Sequence, residues 1–117
     1  MLNKLIIVES KTKGVCFPDD ESNALVISYD LQTEDNNLRT AFLNTCLSNG
    51  FYNCLDDGER CRQLPRTTLL HKVARPIVVF KRLHKIAAAI SVHITRIIVS
   101  PASITHTAFY SEDDCQN

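Results

Sequence analysis

The sequence predicts an α+β fold in which two helices cover one face of a four-stranded antiparallel sheet. Residues 24–31 form a nearly continuous apolar, β-prone run, which is typical of a strand at the centre of a sheet. Residues 38–47 and 76–90 repeat apolar side chains at three- and four-residue intervals, as amphipathic helices do. Two runs rich in β-branched residues, 67–73 and 94–100, predict further strands.

The chain before the central strand is predicted to be an extension of the main domain. Residues 2–8 and 15–17 are short apolar runs that favour two brief strands. We therefore divide the chain into an N-terminal extension (1–23), a domain (24–100) and an irregular C-terminal tail (101–117).

Local signals mark where each element begins and ends. Thr33 or Asp35 can cap the first helix, because their side-chain oxygens accept hydrogen bonds from free backbone N–H groups. The Asn49-Gly50 pair is typical of its C-terminal end. The Asp57-Gly58 pair predicts a tight hairpin turn. Pro76 suits the first turn of the second helix, and Pro101 is predicted to end the last strand.

The order from residue 24 to residue 100 is then strand, helix, strand, strand, helix, strand. This is the ferredoxin-like order, and two right-handed crossovers would place both helices on one face of the sheet. Phe80 and Ala87 would widen the apolar face of the second helix. The full predicted core is Leu25, Ile27, Tyr29, Leu38, Phe42, Leu69, Val79, Leu83, Ile86, Ile97 and Val99. The other sheet face would be free for a partner, a dimer mate or the N-terminal extension, and we expect a homodimer.

The charges are segregated along the chain although the formal net charge is zero. Residues 1–58, 59–96 and 97–117 carry net charges of −5, +8 and −3. The basic block contains Arg60, Arg62, Arg66, Lys72, Arg75, Lys81, Arg82, Lys85 and Arg96. Such a split predicts one basic surface that meets an anion, with RNA or DNA the first candidate.

The five cysteines are expected to be reduced thiols. Their number is odd, no CxxC pair occurs and no export signal precedes them, so a cytoplasmic protein is the natural expectation. Cys115 lies in a polar tail and is expected to be exposed. No apolar run approaches the roughly 20 residues that cross a bilayer, so no membrane association is predicted.

Two segments carry a family resemblance. Residues 26–31, VISYDL, resemble the first strand of Cas2-like proteins, a group of small ferredoxin-like proteins that includes CRISPR-associated and toxin–antitoxin components. Residues 64–69, LPRTTL, are similar to a segment of small bacterial proteins of this fold. The resemblance covers roughly residues 24–100, and it implies a nucleic-acid-binding protein or a metal-dependent endoribonuclease.

The resemblance makes Asp30 the candidate catalytic residue and metal ligand. An aspartate at the end of the first strand is the proposed ligand in nuclease-competent relatives, where two subunits present one each. Mg²⁺ prefers carboxylate oxygens and retains waters, one of which can attack a phosphodiester. The alternative is that Asp30 only caps the following turn or helix.

The candidate nucleic-acid-binding residues are Arg60, Arg62, Arg66, Lys81, Arg82 and Lys85. Each could neutralise a phosphate. Two alternatives remain: a solvated basic face, or docking on an acidic protein partner. The second would make the protein a non-catalytic interaction module, for example an antitoxin-like or inhibitor-like regulator.

Overall fold

The computed structural model describes residues 14–115, and its main feature is a four-stranded sheet with two helices packed against one face. The helices are α1 (Asn36–Leu47) and α2 (Pro76–Ile90). The strands are β1 (Asn23–Leu31), β2 (Phe51–Tyr52), β3 (Cys54–Asp56), β4 (Cys61–Gln63), β5 (Thr68–His71) and β6 (Ile94–Ser103), and a 3₁₀ turn follows at Ile104–His106. The predicted N-terminal strand at residues 2–8 lies outside the described residues.

The strand order in the sheet is β2-β5-β1-β6, and every neighbouring pair is antiparallel. β1 is central, which explains its nearly continuous apolar run: Leu25 lies opposite His71 on one side and Pro101 on the other. β6 is an edge strand, where a proline is tolerated because its missing N–H faces no partner. The strand therefore continues through Pro101 to Ser103 instead of ending there.

The predicted α+β class, with two helices and a four-stranded antiparallel sheet, is confirmed. The element order differs from the prediction, because β3 and β4 form a separate two-stranded sheet inserted between β2 and β5. The Asp57-Gly58 turn closes this hairpin. The Asp57 carboxylate accepts hydrogen bonds from the Glu59 and Arg60 N–H groups at 3.0 and 3.2 Å, and Gly58 has φ of 103°.

The helix ends follow the local signals. Asp35, rather than Thr33, caps α1, and its carboxylate accepts a hydrogen bond from Asn37 N at 2.8 Å. Pro76 is the first residue of α2, and the C-cap residue after Ile90, Ser91, adopts the left-handed conformation with φ of 64°.

The main core lies between the sheet and the helices. Most of the predicted core is buried, namely Leu25, Ile27, Tyr29, Phe42, Leu69, Val79, Leu83 and Ile86. Leu38, Ile97 and Val99 are only partly buried, the last two because they lie on the edge strand β6. The placement of Phe80 in the apolar face was wrong, because 39% of Phe80 is exposed. Ala87 is buried, as predicted.

A second core covers one end of the opposite sheet face. Phe17, Leu55 and Leu64 pack there against Ala24 and Leu70. Part of this face is therefore covered by Phe17 of the N-terminal extension, which was one of the predicted occupants, together with the hairpin region. The part that remains exposed carries Ser28, Asp30, Arg96 and Ile98.

Residues 107–115 contain no helix or strand beyond a single bridge residue, so this segment is irregular, but it packs against the hairpin. Asp114 and Arg62 form an isolated antiparallel β-bridge, and Gln63 N donates to Asp113 O at 2.9 Å. Cys115 is only 8% exposed, so its predicted exposure was wrong.

Two disulfides replace the reduced thiols that we expected. Cys16 is bonded to Cys61 and Cys54 to Cys115, while Cys46 is free and buried in the main core. Of the helices in residues 14–115, none is long and apolar enough to cross a membrane.

Candidate functional site

Asp30 lies near the carboxyl end of β1, on the open part of the sheet. Strand residues alternate between faces, so Tyr29 and Leu31 point into the main core while the Asp30 side chain is 52% exposed. Its carboxylate accepts a hydrogen bond from Arg96 Nη1 at 3.3 Å, from the facing position on β6. The capping role belongs to Asp35, so the carboxylate of Asp30 serves an ion pair instead.

The structure does not surround Asp30 with further metal ligands. Among residues 14–115, the group of three or more ligand-type side chains that could hold a metal ion is Cys54, Cys61 and Cys115. Asp30 does not belong to it. A magnesium site at Asp30 would therefore need oxygen ligands from water or from a second copy.

Folding neutralises two of the predicted basic residues. Arg60 Nε lies 3.0 Å from an Asp114 carboxylate oxygen, and Arg62 Nε lies 2.5 Å from Asp57. Hydrogen bonds from the Glu59 and Arg60 backbone hold the pKa of Asp57 below its usual value. The hairpin is therefore a mixed-charge surface, because acids on the hairpin and the C-terminal segment lie beside its arginines.

Arg82 faces inward from α2. Its Nη1 lies 3.0 Å from His71 Nε2, its Nη2 donates to the Asn49 carbonyl, and the guanidinium carbon lies 5.6 Å from the centre of the Phe51 ring. These contacts join α2 to the α1–β2 turn and to β5. The side chain is thus engaged within the fold and is not presented to a phosphate.

Lys81 and Lys85 are exposed on the outer side of α2. Phe80 and His84 each directly precede one of these lysines and lie four residues apart on the helix. Both are also exposed, and their ring centres are 4.4 Å apart. The outer helix face therefore combines two lysines with an aromatic pair. The sequence prediction missed this pair because it placed Phe80 in the core.

A cleft with a mixed polar and apolar lining lies beside the carboxyl end of β1, between α1 and the loop before β5. Its volume is about 260 Å³. The lining side chains are Tyr29, Leu31, Asn36, Arg39, Thr40, Leu43, Asn53, Gln63, Leu64, Pro65, Arg66, Thr67 and Thr68. This lining includes two arginines, several amides and hydroxyls, and none of the acidic side chains of residues 14–115. The cleft is therefore suited to an anion.

The two arginines reach the cleft from distant parts of the chain. Arg39 is on α1 and donates from Nη2 to the Leu31 carbonyl at 3.4 Å, which holds its guanidinium near the end of β1. Arg66 is exposed and lines the same cleft from the loop before β5. Thr67 beside it has φ of 61°, which is uncommon for a β-branched residue, and strained residues of this kind cluster at ligand sites.

Of the predicted site residues, only Arg66 contributes to this cleft. Arg39 was missed because it lies in the acidic part of the sequence and only the fold brings it near Arg66. No protein-family model, curated protein or solved structure matches this chain. A functional assignment therefore depends on the geometry of the site itself.

Proposed function

We propose that this protein is a Cas2-like nucleic-acid-binding protein whose cleft beside β1 holds a backbone phosphate of RNA or DNA. The observation that carries this proposal is that Arg39 and Arg66 both line one cleft, whose lining residues include no acidic side chain. Guanidinium groups bind phosphate oxygens through paired, charge-assisted hydrogen bonds. The cleft provides two such groups.

The topology supports the resemblance. When the β3–β4 hairpin is set aside, the remaining elements run strand, helix, strand, strand, helix, strand. The spatial order β6-β1-β5-β2 fits a ferredoxin-like arrangement. Tyr29 and Asp30, which carry the resemblance, lie at the same end of β1 as the cleft.

The outer face of α2 provides a second contact region. Lys81 and Lys85 add phosphate contacts, and the exposed Phe80 and His84 rings offer a surface on which bases stack. A nucleic-acid strand that lies along α2 would gain affinity from the lysines and from stacking on the two rings. Sequence-tolerant, salt-sensitive binding is the expected behaviour, because phosphate contacts dominate.

A metal-dependent nuclease activity would require a homodimer. Ile98, which is 64% exposed, lies with Ser28 and Asp30 on the open part of the sheet and gives it an apolar centre that a second copy can cover. Pairing of two such faces would bring two Asp30 carboxylates together around one Mg²⁺. The metal would polarise the phosphodiester and supply an attacking water.

The proposed cytoplasmic location applies to the reduced protein. Disulfides persist in oxidising compartments and are rare in the cytosol of most organisms. The oxidised form, with Cys16–Cys61 and Cys54–Cys115 bonded, would suit an oxidising environment better.

The binding test is a fluorescence anisotropy titration with labelled single-stranded RNA and duplex DNA at several salt concentrations. We expect Arg66→Gln and Arg39→Gln each to weaken binding about tenfold, as loss of a charged hydrogen bond implies. Arg60→Gln is the matched control, because it removes the same charge from a side chain already paired with Asp114. Equal losses for Arg60→Gln and Arg66→Gln would refute the cleft as the phosphate site.

The second candidate is a non-catalytic interaction module, antitoxin-like or inhibitor-like. Exposed apolar side chains on or beside α2, namely Val73, Ile77 and Val78, favour it, and the lysines next to them suit an acidic protein partner. Absence of nucleic-acid binding even at low salt would select this function. Binding that requires Arg66 would select the first.

A further inference from the structure

The four disulfide-bonded cysteines form one sulfur cluster. They come from four separate segments of the chain, at Cys16, Cys54, Cys61 and Cys115. The sulfur atoms of Cys54, Cys61 and Cys115 all lie within 4.8 Å of one another, and the sulfur of Cys16 is bonded to that of Cys61. The two disulfides are therefore immediate neighbours.

Backbone contacts hold these cysteines together independently of the sulfur bonds. Cys16 and Cys54 form a parallel bridge, and Phe17 N donates to Cys54 O at 2.9 Å. Cys115 N donates to Cys61 O at 3.1 Å, and β3 pairs with β4. The apolar side chains of the second core lie alongside. Reduction would consequently leave four thiols close together on a supported backbone.

We propose that this cluster is a redox-switched zinc site. In the oxidised protein the cysteines form two disulfides, and in the reduced protein their four thiolates bind one Zn²⁺. Structural zinc is tetrahedral with Zn–S distances of about 2.3 Å, so its sulfur ligands are about 3.8 Å apart. Three of the sulfurs already lie within 4.8 Å of one another, and the fourth, that of Cys16, is bonded to Cys61 and would have to turn toward the other two.

The two electrons that reduce each protein disulfide come from a thiol reductant of the glutathione or dithiol class. Each protein disulfide takes up two electrons and two protons, and the reductant is oxidised to its own disulfide. Zn²⁺ then displaces the four thiol protons into solvent as the thiolates coordinate it. A small-molecule disulfide reverses the sequence, re-forming both protein disulfides and releasing the metal.

The test uses the full chain in both redox states. The oxidised protein, and protein reduced under anaerobic conditions with a phosphine, are each equilibrated with Zn²⁺ and dialysed, and bound zinc is measured by elemental analysis. We expect about one zinc per reduced chain and none per oxidised chain. Co²⁺ in place of Zn²⁺ should give the absorption bands of a tetrahedral thiolate complex. A reduced chain that binds no metal, or a cobalt spectrum without thiolate bands, would overturn the proposal.

Variants identify the ligands. Cys61→Ser should weaken zinc binding at least tenfold, because it removes one of four thiolates. Cys46→Ala is the matched control, since Cys46 lies in the main core and should be dispensable for the metal. Equal zinc loss in both variants would overturn the assignment. The cobalt spectrum of the wild-type chain decides the proposal even if Cys61→Ser fails to fold.

Discussion

The Arg82 guanidinium lies 3.0 Å from Nε2 of His71, and this contact determines the tautomer of the imidazole. An arginine side chain only donates hydrogen bonds, so Nε2 of His71 must accept. The proton is then on Nδ1, which donates to the Lys72 carbonyl at 2.7 Å. His71 is therefore a neutral connector between β5 and α2.

We expect the free energy of unfolding to decrease as the pH falls from about 7 to about 5, in part because of this histidine. Burial, and secondarily Arg82, lower the pKa of His71 below 6.5. The unfolded chain therefore binds the proton first. The stabilisation that neutral His71 contributes is complete above the pKa of this histidine in the unfolded chain, and it is lost as the pH falls through the pKa of His71 in the folded protein.

Urea denaturation at several pH values measures the free energy of unfolding, and NMR titration of the His71 ring measures its pKa in the folded protein. His71→Gln should flatten the profile and His84→Gln should not; a folded pKa above 6.5 would contradict the assignment.

Arg82→Ala should destabilise the protein by about 1.5–3 kcal/mol, because it removes charged hydrogen bonds to the buried His71 ring and to the half-buried Asn49 carbonyl. Lys81→Ala, at the exposed neighbouring position, should change stability by less than about 0.5 kcal/mol. Chemical denaturation of both variants measures the difference. Equal effects would mean that Arg82 does not hold α2 against the α1–β2 turn.

Asp30→Asn should abolish any Mg²⁺-dependent cleavage and leave nucleic-acid binding unchanged, because an amide is a poorer ligand for a hard cation. Its stability should change by less than about 1 kcal/mol, since the ion pair with Arg96 is exposed. Arg96→Gln breaks the same ion pair but keeps the carboxylate, so it should retain cleavage. A gel-based cleavage assay with and without Mg²⁺ is the measurement, and persistent cleavage by Asp30→Asn would exclude Asp30 as the metal ligand.

Thiol counting should distinguish the five cysteines. The folded oxidised protein should react with no equivalent of a thiol reagent, because Cys46 is buried and burial raises its pKa far above its usual value. After unfolding without reductant, we expect one reactive thiol. After unfolding with reductant, we expect all five. More than one thiol in the unreduced unfolded chain would contradict the presence of both disulfides.

Features that depend on neighbouring residues were predictable from the sequence. The helix start at Pro76, the cap at Asp35 and the Asp57-Gly58 turn all act within a few residues, so local patterns suffice. The central position of β1 followed from its apolar run.

Features that depend on distant segments were not predictable. Segregated charge along the chain did not become a segregated surface, because Asp114 folds back onto Arg60. Disulfides across separations of 45 and 61 residues have no local signal. Helical spacing correctly indicated Val79, Leu83 and Ile86 as inward-facing, but Phe80 directly follows Val79 in an apolar run, and its apolar character alone placed it on the same face.

The arrangement of the disulfides also determines how the oxidised chain would bear tension. Cys16 is linked to Cys61, and Cys115 to Cys54, so the shortest covalent path between residues 16 and 115 runs through the segment from Cys54 to Cys61. A force that pulls these two points apart would straighten only the β3–β4 hairpin before the path became taut. The helices and the four-stranded sheet lie outside this covalent path, so they would carry no force while the disulfides are intact. After reduction, the force would act on them as well.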